Sequence, residues 1–265
     1  MGDRKTDDGR GGVRAVADRR TVLILGGTAD ARALAARLAD ALPDARIVSS
    51  LAGRTSNPVL PRGETRIGGF GGAAGLATWL AAERVTAVVD ATHPFAARIS
   101  ANAVTACGEA DVPLLRLQRP GWTPEPGDDW RHVGSATAAA ALLPEVGRRV
   151  FLTTGRMETE PYAHLDDLWF LLRSVEAPTG PVPRHCELLL ARGPFDVADE
   201  IALMRRHEVD VIVTKDSGGT LTAAKLRAAR ALRIPVVMID RPEVTADQQV
   251  AAVADAVEWT QRIVA

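Results

Sequence analysis

Several residue types are scarce in this chain, and each scarcity excludes something. Two cysteines, Cys107 and Cys186, in 265 residues make neither a disulfide framework nor a cysteine-based metal cluster. A reduced, cytoplasmic protein is the expectation, with a single Cys107–Cys186 bridge as the alternative. Lysine occurs only as Lys5, Lys215 and Lys225, so arginine supplies nearly all of the 32 basic side chains. The five histidines lack metal-ligand spacing, so no metal is expected. No apolar run approaches the ~18 residues of a membrane span. The first twenty residues hold no apolar stretch of a secretory signal. They fit the loose myristoylation pattern through Gly2 and Thr6, but that spelling carries little information, and residues 1–20 read as a disordered tail. No G-x-x-x-x-G-K-[ST] run is present, which excludes a P-loop nucleotidase, and the G-x-S-x-G elbow is missing too. The lone tyrosine, Tyr162, has Asp166 four residues on, not the lysine of a Tyr-x-x-x-Lys pair. A formal charge of −1 argues against a nucleic-acid or membrane-surface binder that relies on bulk positive charge.

What remains is an ordinary globular composition, 46% hydrophobic and 25% charged, in a length that suits about two domains. Short apolar runs alternate with Ala/Leu-rich stretches. Strands are expected at Thr21–Leu25, Ala45–Ser50, Thr65–Ile67, Val85–Val89 and Pro113–Gln118. A helix capped by Thr28 shows Ala31, Leu34, Ala35 and Leu38 on one face. A second helix is expected over Ala73–Arg84, and a third between Pro94 and Gly108. Arg119–Asp129, with three prolines and two glycines, is the linker candidate. Beyond it strands are expected at Arg149–Thr153, Leu168–Arg173, Glu187–Ala191, Val209–Thr214 and Pro235–Ile239. Helices are expected at Ala136–Leu143, Phe195–Arg206, Thr220–Leu232 and Ala246–Ile263. The alternation implies an α/β fold of two Rossmann-like domains, residues 21–125 and 126–265, each a parallel sheet flanked by helices.

Ligands of such sheets bind at the carboxyl ends of strands, in a cleft. After the first strand, Gly26-Gly27-Thr28 lets backbone approach a pyrophosphate at a helix N-terminus, although the full G-x-G-x-x-G spelling is absent. A plain tight turn is the alternative there, and Asp30 in the first helical turn would repel a phosphate. The second strand ends in Ser49-Ser50 with Arg54 beyond and no acid nearby. That suits a ribose 2′-phosphate, hence NADPH over NADH, unless Arg54 is only one surface arginine among many. Four glycines surround Phe70 between Gly68 and Gly72, including Gly69 and Gly71, which fits a close ligand approach or a hinge. Thr92 and His93 follow another strand, where His93 can hold a cofactor, donate a proton or simply cap a helix.

The second half repeats the design with more cations. Thr154, Gly155 and Arg156 follow one strand, and Arg192 another. Lys215, Asp216, Ser217 and Gly218 follow a third, with Lys225 on the helix beyond. Arg156, Arg192, Lys215 and Lys225 would converge on one edge and fit a ligand bearing several carboxylates or phosphates. Scattered surface charge is the alternative.

In order, the stretches LILGGTADARALA, SSLAGRT, IGGFGG, VVDATHPFA, FLTTGR, ARGPF, VTKDSGG and PVVMIDRP resemble the precorrin-6A reductase family of the cobalamin pathway, including its cobalt-precorrin relatives. The resemblance spans about Thr21 to Pro242. It implies a two-domain enzyme that reduces a double bond of the precorrin-6A macrocycle to give precorrin-6B, with NADPH as cofactor. Cofactor contacts would fall to Gly26, Gly27, Thr28, Ser50, Arg54, Gly69, Phe70, Gly71, Thr92 and His93. Substrate contacts would fall to Thr154, Gly155, Arg156, Arg192, Lys215, Asp216, Ser217, Gly218 and Lys225. Lys215 and His93 are the candidate catalytic groups. The implied partner is a small polycarboxylate tetrapyrrole, not nucleic acid or membrane, and the enzyme would be a monomer or small homo-oligomer. Alternatives are the cobalt-containing substrate, a reductase of another small anion, and a non-catalytic dinucleotide-binding regulator.

Overall fold

The computed structural model describes residues 20–53 and 59–264. Arg54, Gly2 and Thr6 lie outside the described residues. The chain opens with β1 (Thr21–Leu25), α1 (Ala29–Ala41), β2 (Arg46–Leu51), β3 (Glu64–Ile67) and α2 (Ala73–Ala82). β4 (Val85–Asp90), α3 (Ala97–Ala110) and β5 (Leu114–Leu117) complete the first run. After the linker come β6 (Trp130–Val133), α4 (Ala136–Val146), β7 (Arg149–Leu152), β8 (Trp169–Ser174) and β9 (Cys186–Leu190). Then follow α5 (Val197–Arg206), β10 (Val211–Lys215), α6 (Ala224–Leu232) and β11 (Val236–Ile239), and the chain closes with β12 (Gln249–Val250) and α7 (Val253–Val264).

The strands form two six-stranded sheets, ordered β12-β5-β4-β1-β2-β3 and β6-β11-β10-β7-β8-β9, and all the pairings within them are parallel. The first sheet starts in its middle at β1, winds outward and reverses at β1/β4. The second starts at its edge strand β6, enters the middle at β7, winds outward and reverses at β7/β10. β1 shows why both faces are covered: its five residues are all buried. Val22 and Ile24 join one core with Leu34, Leu38 and Trp259, while Leu23 and Leu25 join another with Leu76, Leu80 and Ala103. A strand apolar on both faces requires helices on both faces. The architecture is the two-sheet, helix-flanked α/β fold that the alternation implies.

Three local expectations need correction. Residues 126–265 do not all pack with the second sheet: β12 pairs with β5, and Ala256, Trp259 and Val264 of α7 pack on the first-sheet core. That face of β4 and β5 would otherwise be open to water, and the apolar stripe of α7 covers it. The segment from Ala246 is a strand followed by a helix, because Arg116 N–H and Gln118 N–H bond to Gln248 O and Val250 O. Lastly, α3 begins at Ala97 and not at Pro94. Asp90 Oδ1 accepts from Thr92 N and Oγ1, and Ala96 N–H bonds to His93 O, so residues 90–96 form a turn first. The helix then runs through Gly108 and ends at Asp111, which has φ 52°.

Candidate active site

A parallel sheet that reverses its winding opens a crevice at the carboxyl ends of the strands flanking the reversal. In the first sheet this crevice lies between Gly26-Gly27-Thr28, after β1, and Thr92-His93, after β4. Gly27 has φ 107°, and a Cβ there would meet nothing within 4 Å. The backbone before α1 therefore stands open to an anion at a helix N-terminus. The Thr28 side chain is committed to the fold instead. Its Oγ1 accepts from Ala31 N–H at 3.0 Å and donates to Ala91 O at 2.8 Å. Likewise the Thr92 hydroxyl donates to Asp90 Oδ1 at 2.6 Å.

Along the same edge, Ser50 near the end of β2 meets the glycine-rich loop after β3. Arg66 of β3 organises that loop. Its Nη1 donates to Gly68 O at 2.6 Å and lies 3.4 Å from Ser50 Oγ, and Nη2 donates to Gly69 O at 2.7 Å. The guanidinium lies 3.8 Å from the Phe70 ring centroid, and Phe70 meets Trp79 edge-on at 5.5 Å. Phe70 is thus an anchor turned toward the core beneath α2. Cβ atoms at Gly68, Gly69 and Gly71 would meet nothing within 4 Å. Free backbone space with a guanidinium beside it fits a dinucleotide along this edge.

The second crevice lies between Thr154-Gly155-Arg156, after β7, and Lys215–Gly218 at the end of β10. Arg156 pairs with Glu176 at 2.9 Å, and Lys215 Nζ with Glu158 at 2.6 Å. Arg192, just past β9, is exposed and has no ion-pair partner among the described residues. Thr154 Oγ1 is buried without a hydrogen-bond partner among them. Asp216 is occupied by the fold, accepting from Trp122 N–H at 2.9 Å and pairing with Arg241 at 3.2 Å. Gly218 lies under the linker, where a Cβ would sit 2.1 Å from Pro120 O. Lys225 is buried, its ammonium 5.3 Å from the Trp122 ring centroid, so it does not reach the edge on which sequence placed it. Burial, then the charge of Arg173, pushes its pKa down to about 7, against the pull of Glu200.

The linker brings the crevices face to face. Arg119 Nη1 pairs with Asp30 at 2.8 Å, while its Nε donates to Ser217 O at 2.9 Å. One side chain thereby joins the first turn of α1 to the loop after β10, and it neutralises the carboxylate that would repel a phosphate. Arg241 donates to Asp216 O, Arg119 O and Pro120 O. Phe95, from the first half, packs against the second-half core and lies 5.1 Å from Lys215 Nζ. Between them, burial first and then the charges of Lys215, Arg119, Arg241 and Lys225 lower the His93 pKa to about 4. Its Nδ1 accepts from Phe95 N–H at 3.3 Å, which leaves the proton of the neutral ring on Nε2.

Residues 21–261 match the family model of precorrin-6x reductase CbiJ/CobK. The chain belongs to this family. By that membership it is an oxidoreductase of the nicotinamide-dependent kind. A precorrin-6A reductase of Rhodococcus erythropolis is 56% identical over 239 residues, covering 90% of this chain and 96% of that one. One from Mycobacterium tuberculosis is 53% identical over 222 residues, covering 83% and 88%. A cobalt-precorrin-6A reductase of Priestia megaterium is 29% identical over 237 residues, covering 84% and 91%. The solved structure of CobK precorrin-6A reductase superposes with a TM-score of 0.84 at 43% identity, over 92% of this chain and 97% of that one.

Within this family member the structure gathers Gly26, Gly27, Ser50, Gly69, Gly71, Thr92 and His93 along one sheet edge. Thr154, Gly155, Arg156, Arg192, Lys215 and Ser217 line the other. Among the described residues no group of three or more His, Cys, Asp or Glu side chains could hold a metal ion, and no helix is long and apolar enough to cross a membrane. Sequence reasoning missed Arg66, Arg119 and Arg241. Arg241 stands two residues past the β11 strand, where the same strand-end logic applies. Arg66 lies inside an expected strand, and Arg119 in the linker, so neither position carried a signal.

Proposed function

We propose that this chain reduces the precorrin-6A macrocycle to precorrin-6B with NADPH. The observation that carries the proposal is the meeting of two switch-point crevices across one linker, glycine-rich on one side and cationic on the other. NADPH, when bound, supplies a hydride from its nicotinamide to an electrophilic carbon of the macrocycle. Backbone around Gly26 and Gly27, with the N-terminus of α1, holds the diphosphate. Ser50, Arg54 and Arg66 receive the 2′-phosphate, a dianion that a guanidinium binds better than a carboxylate would. His93 offers a neutral Nε2–H donor near the nicotinamide end, beside Thr92.

On the facing edge Arg156, Arg192, Thr154, Gly155 and Ser217 position the substrate carboxylates. Lys215 Nζ holds the proton that completes the reduction at the second carbon, with Glu158 orienting it. His93 is poorly suited to that task, since a ring with a pKa of about 4 carries no extra proton at neutral pH. Packing of Phe95 against the second half keeps water from the junction. The cobalt-free substrate is favoured because the relatives named for it are much more similar to this chain than the cobalt-precorrin one.

The test is an anaerobic incubation of the protein with precorrin-6A and NADPH, following the macrocycle spectrum and NADPH consumption together. Matched loss of both is expected, with slower turnover in a parallel NADH cell. An Arg66→Ala variant should narrow the gap between the two nucleotides. Turnover of cobalt-precorrin-6A alone would overturn the substrate assignment. Dinucleotide binding without turnover of either macrocycle would leave a regulator.

A further inference from the structure

The carboxyl-terminal edge of the second sheet carries apolar side chains among its cations. Met157, Val175, Leu190 and Leu221 are 49–60% exposed and are the four most exposed large apolar side chains among the described residues of the second half. Each belongs to a different strand end: Met157 follows β7, Val175 follows β8, Leu190 closes β9 and Leu221 follows β10. Open apolar groups are costly in water, and four of them on one edge call for an occupant.

The loops that carry them are tied together. Met157 stands between Arg156, which pairs with Glu176 next to Val175, and Glu158, which pairs with Lys215. The carbonyl of Leu221 abuts Gly193, 3.1 Å from where a Cβ would be, and Gly193 adjoins Arg192. The result is one rim in which apolar and cationic side chains interleave. Buried in the Met157 loop, Thr154 Oγ1 has no hydrogen-bond partner among the described residues. Lys215 faces Phe95 of the other half, so this rim borders the junction between the two crevices.

We propose that Met157, Val175, Leu190 and Leu221 form a shelf for the face of the tetrapyrrole ring, while Arg156 and Arg192 take carboxylates at its periphery. This rests on the function proposed above. A conjugated macrocycle is apolar on its face and anionic around its edge, which is the complement of an apolar shelf edged with guanidinium groups. A protein partner would have to cover the same cations with matching acids.

The experiment uses Met157→Glu, Leu221→Glu and the double variant, with Val104→Glu, at an exposed position of α3 in the first half, as a control. Four quantities are read: KM and kcat for precorrin-6A, quenching of uroporphyrin III fluorescence on binding, NADP+ affinity by calorimetry, and Tm. The double variant should raise the precorrin-6A KM by about tenfold or more and weaken uroporphyrin binding in parallel, by adding charge where apolar area is buried. NADP+ affinity, Tm and the control should stay within about twofold or a degree or two. A double variant with unchanged KM overturns the shelf while leaving the reductase in place. So does a fall in NADP+ affinity of equal size, which marks general damage. A wild-type dimer that Met157→Glu disperses would also overturn it, marking the patch as a contact between copies. Wild-type protein that neither binds nor reduces precorrin-6A would overturn the functional reading, and the shelf with it.

Discussion

His93 would gain its proton in the company of Lys215, Arg119, Arg241 and Lys225, and burial adds the largest cost. A base whose folded pKa falls from 6.5 to about 4 takes up fewer protons than the unfolded chain does between those values. Stability therefore falls as pH drops from about 6.5 toward 4 and is unaffected by this group above that window. Replacing the ring with His93→Asn should remove this slope. Denaturant melts of both proteins from pH 8 to 4 check it, with the wild type losing more across the window. Position marked His93 in the sequence as a strand-end residue. Its protonation state was not legible, because the opposing charges come from residues 119, 215, 225 and 241.

Helix α1 shows the same division one scale up. TVLIL followed by Gly-Gly-Thr is a local signal: an apolar strand, a turn only glycine makes easily, and a capping hydroxyl. The structure returns each part, with β1 at Thr21–Leu25 and Thr28 as N-cap. The bond from Thr28 Oγ1 to Ala91 O is not local, and it makes the cap a link between α1 and the end of β4. Thr28→Ala should cost about 1–2 kcal/mol, at the upper end for a cap, while Thr28→Ser should retain most of the stability. Urea denaturation of the two variants measures both. Where local rules failed, at Pro94 and over Ala246–Ile263, a side-chain turn and an edge pairing outweighed helix propensity.

In the whole molecule, Arg119 is the side chain through which the two crevices share one geometry. It holds Asp30 at 2.8 Å and Ser217 O at 2.9 Å. Arg119→Met should weaken NADP+ binding by about tenfold, since Asp30 is left unpaired beside the proposed diphosphate position. Adding Asp30→Asn should restore that affinity without restoring kcat, because the bond to Ser217 stays broken. Calorimetry with NADP+ and steady-state turnover separate the two effects. Equal recovery of both quantities would show that charge neutralisation is the entire role of Arg119.

Local sequence determined most of the elements, β6, β12 and the start of α3 excepted, and the strand ends that carry glycines, hydroxyls and cations. Period, capping and turn chemistry act over a few residues, so they are readable without the fold. Tertiary structure decided which of those groups are spent. It closed Thr28, Asp216 and Gly218 into the framework, buried Lys225, and placed Arg66 beside Ser50. It also sent β12 and α7 back to the first sheet and set Phe95 against Lys215. Each of these depends on partners tens to hundreds of residues apart, and whether a polar group is free or committed is a property of such partners alone.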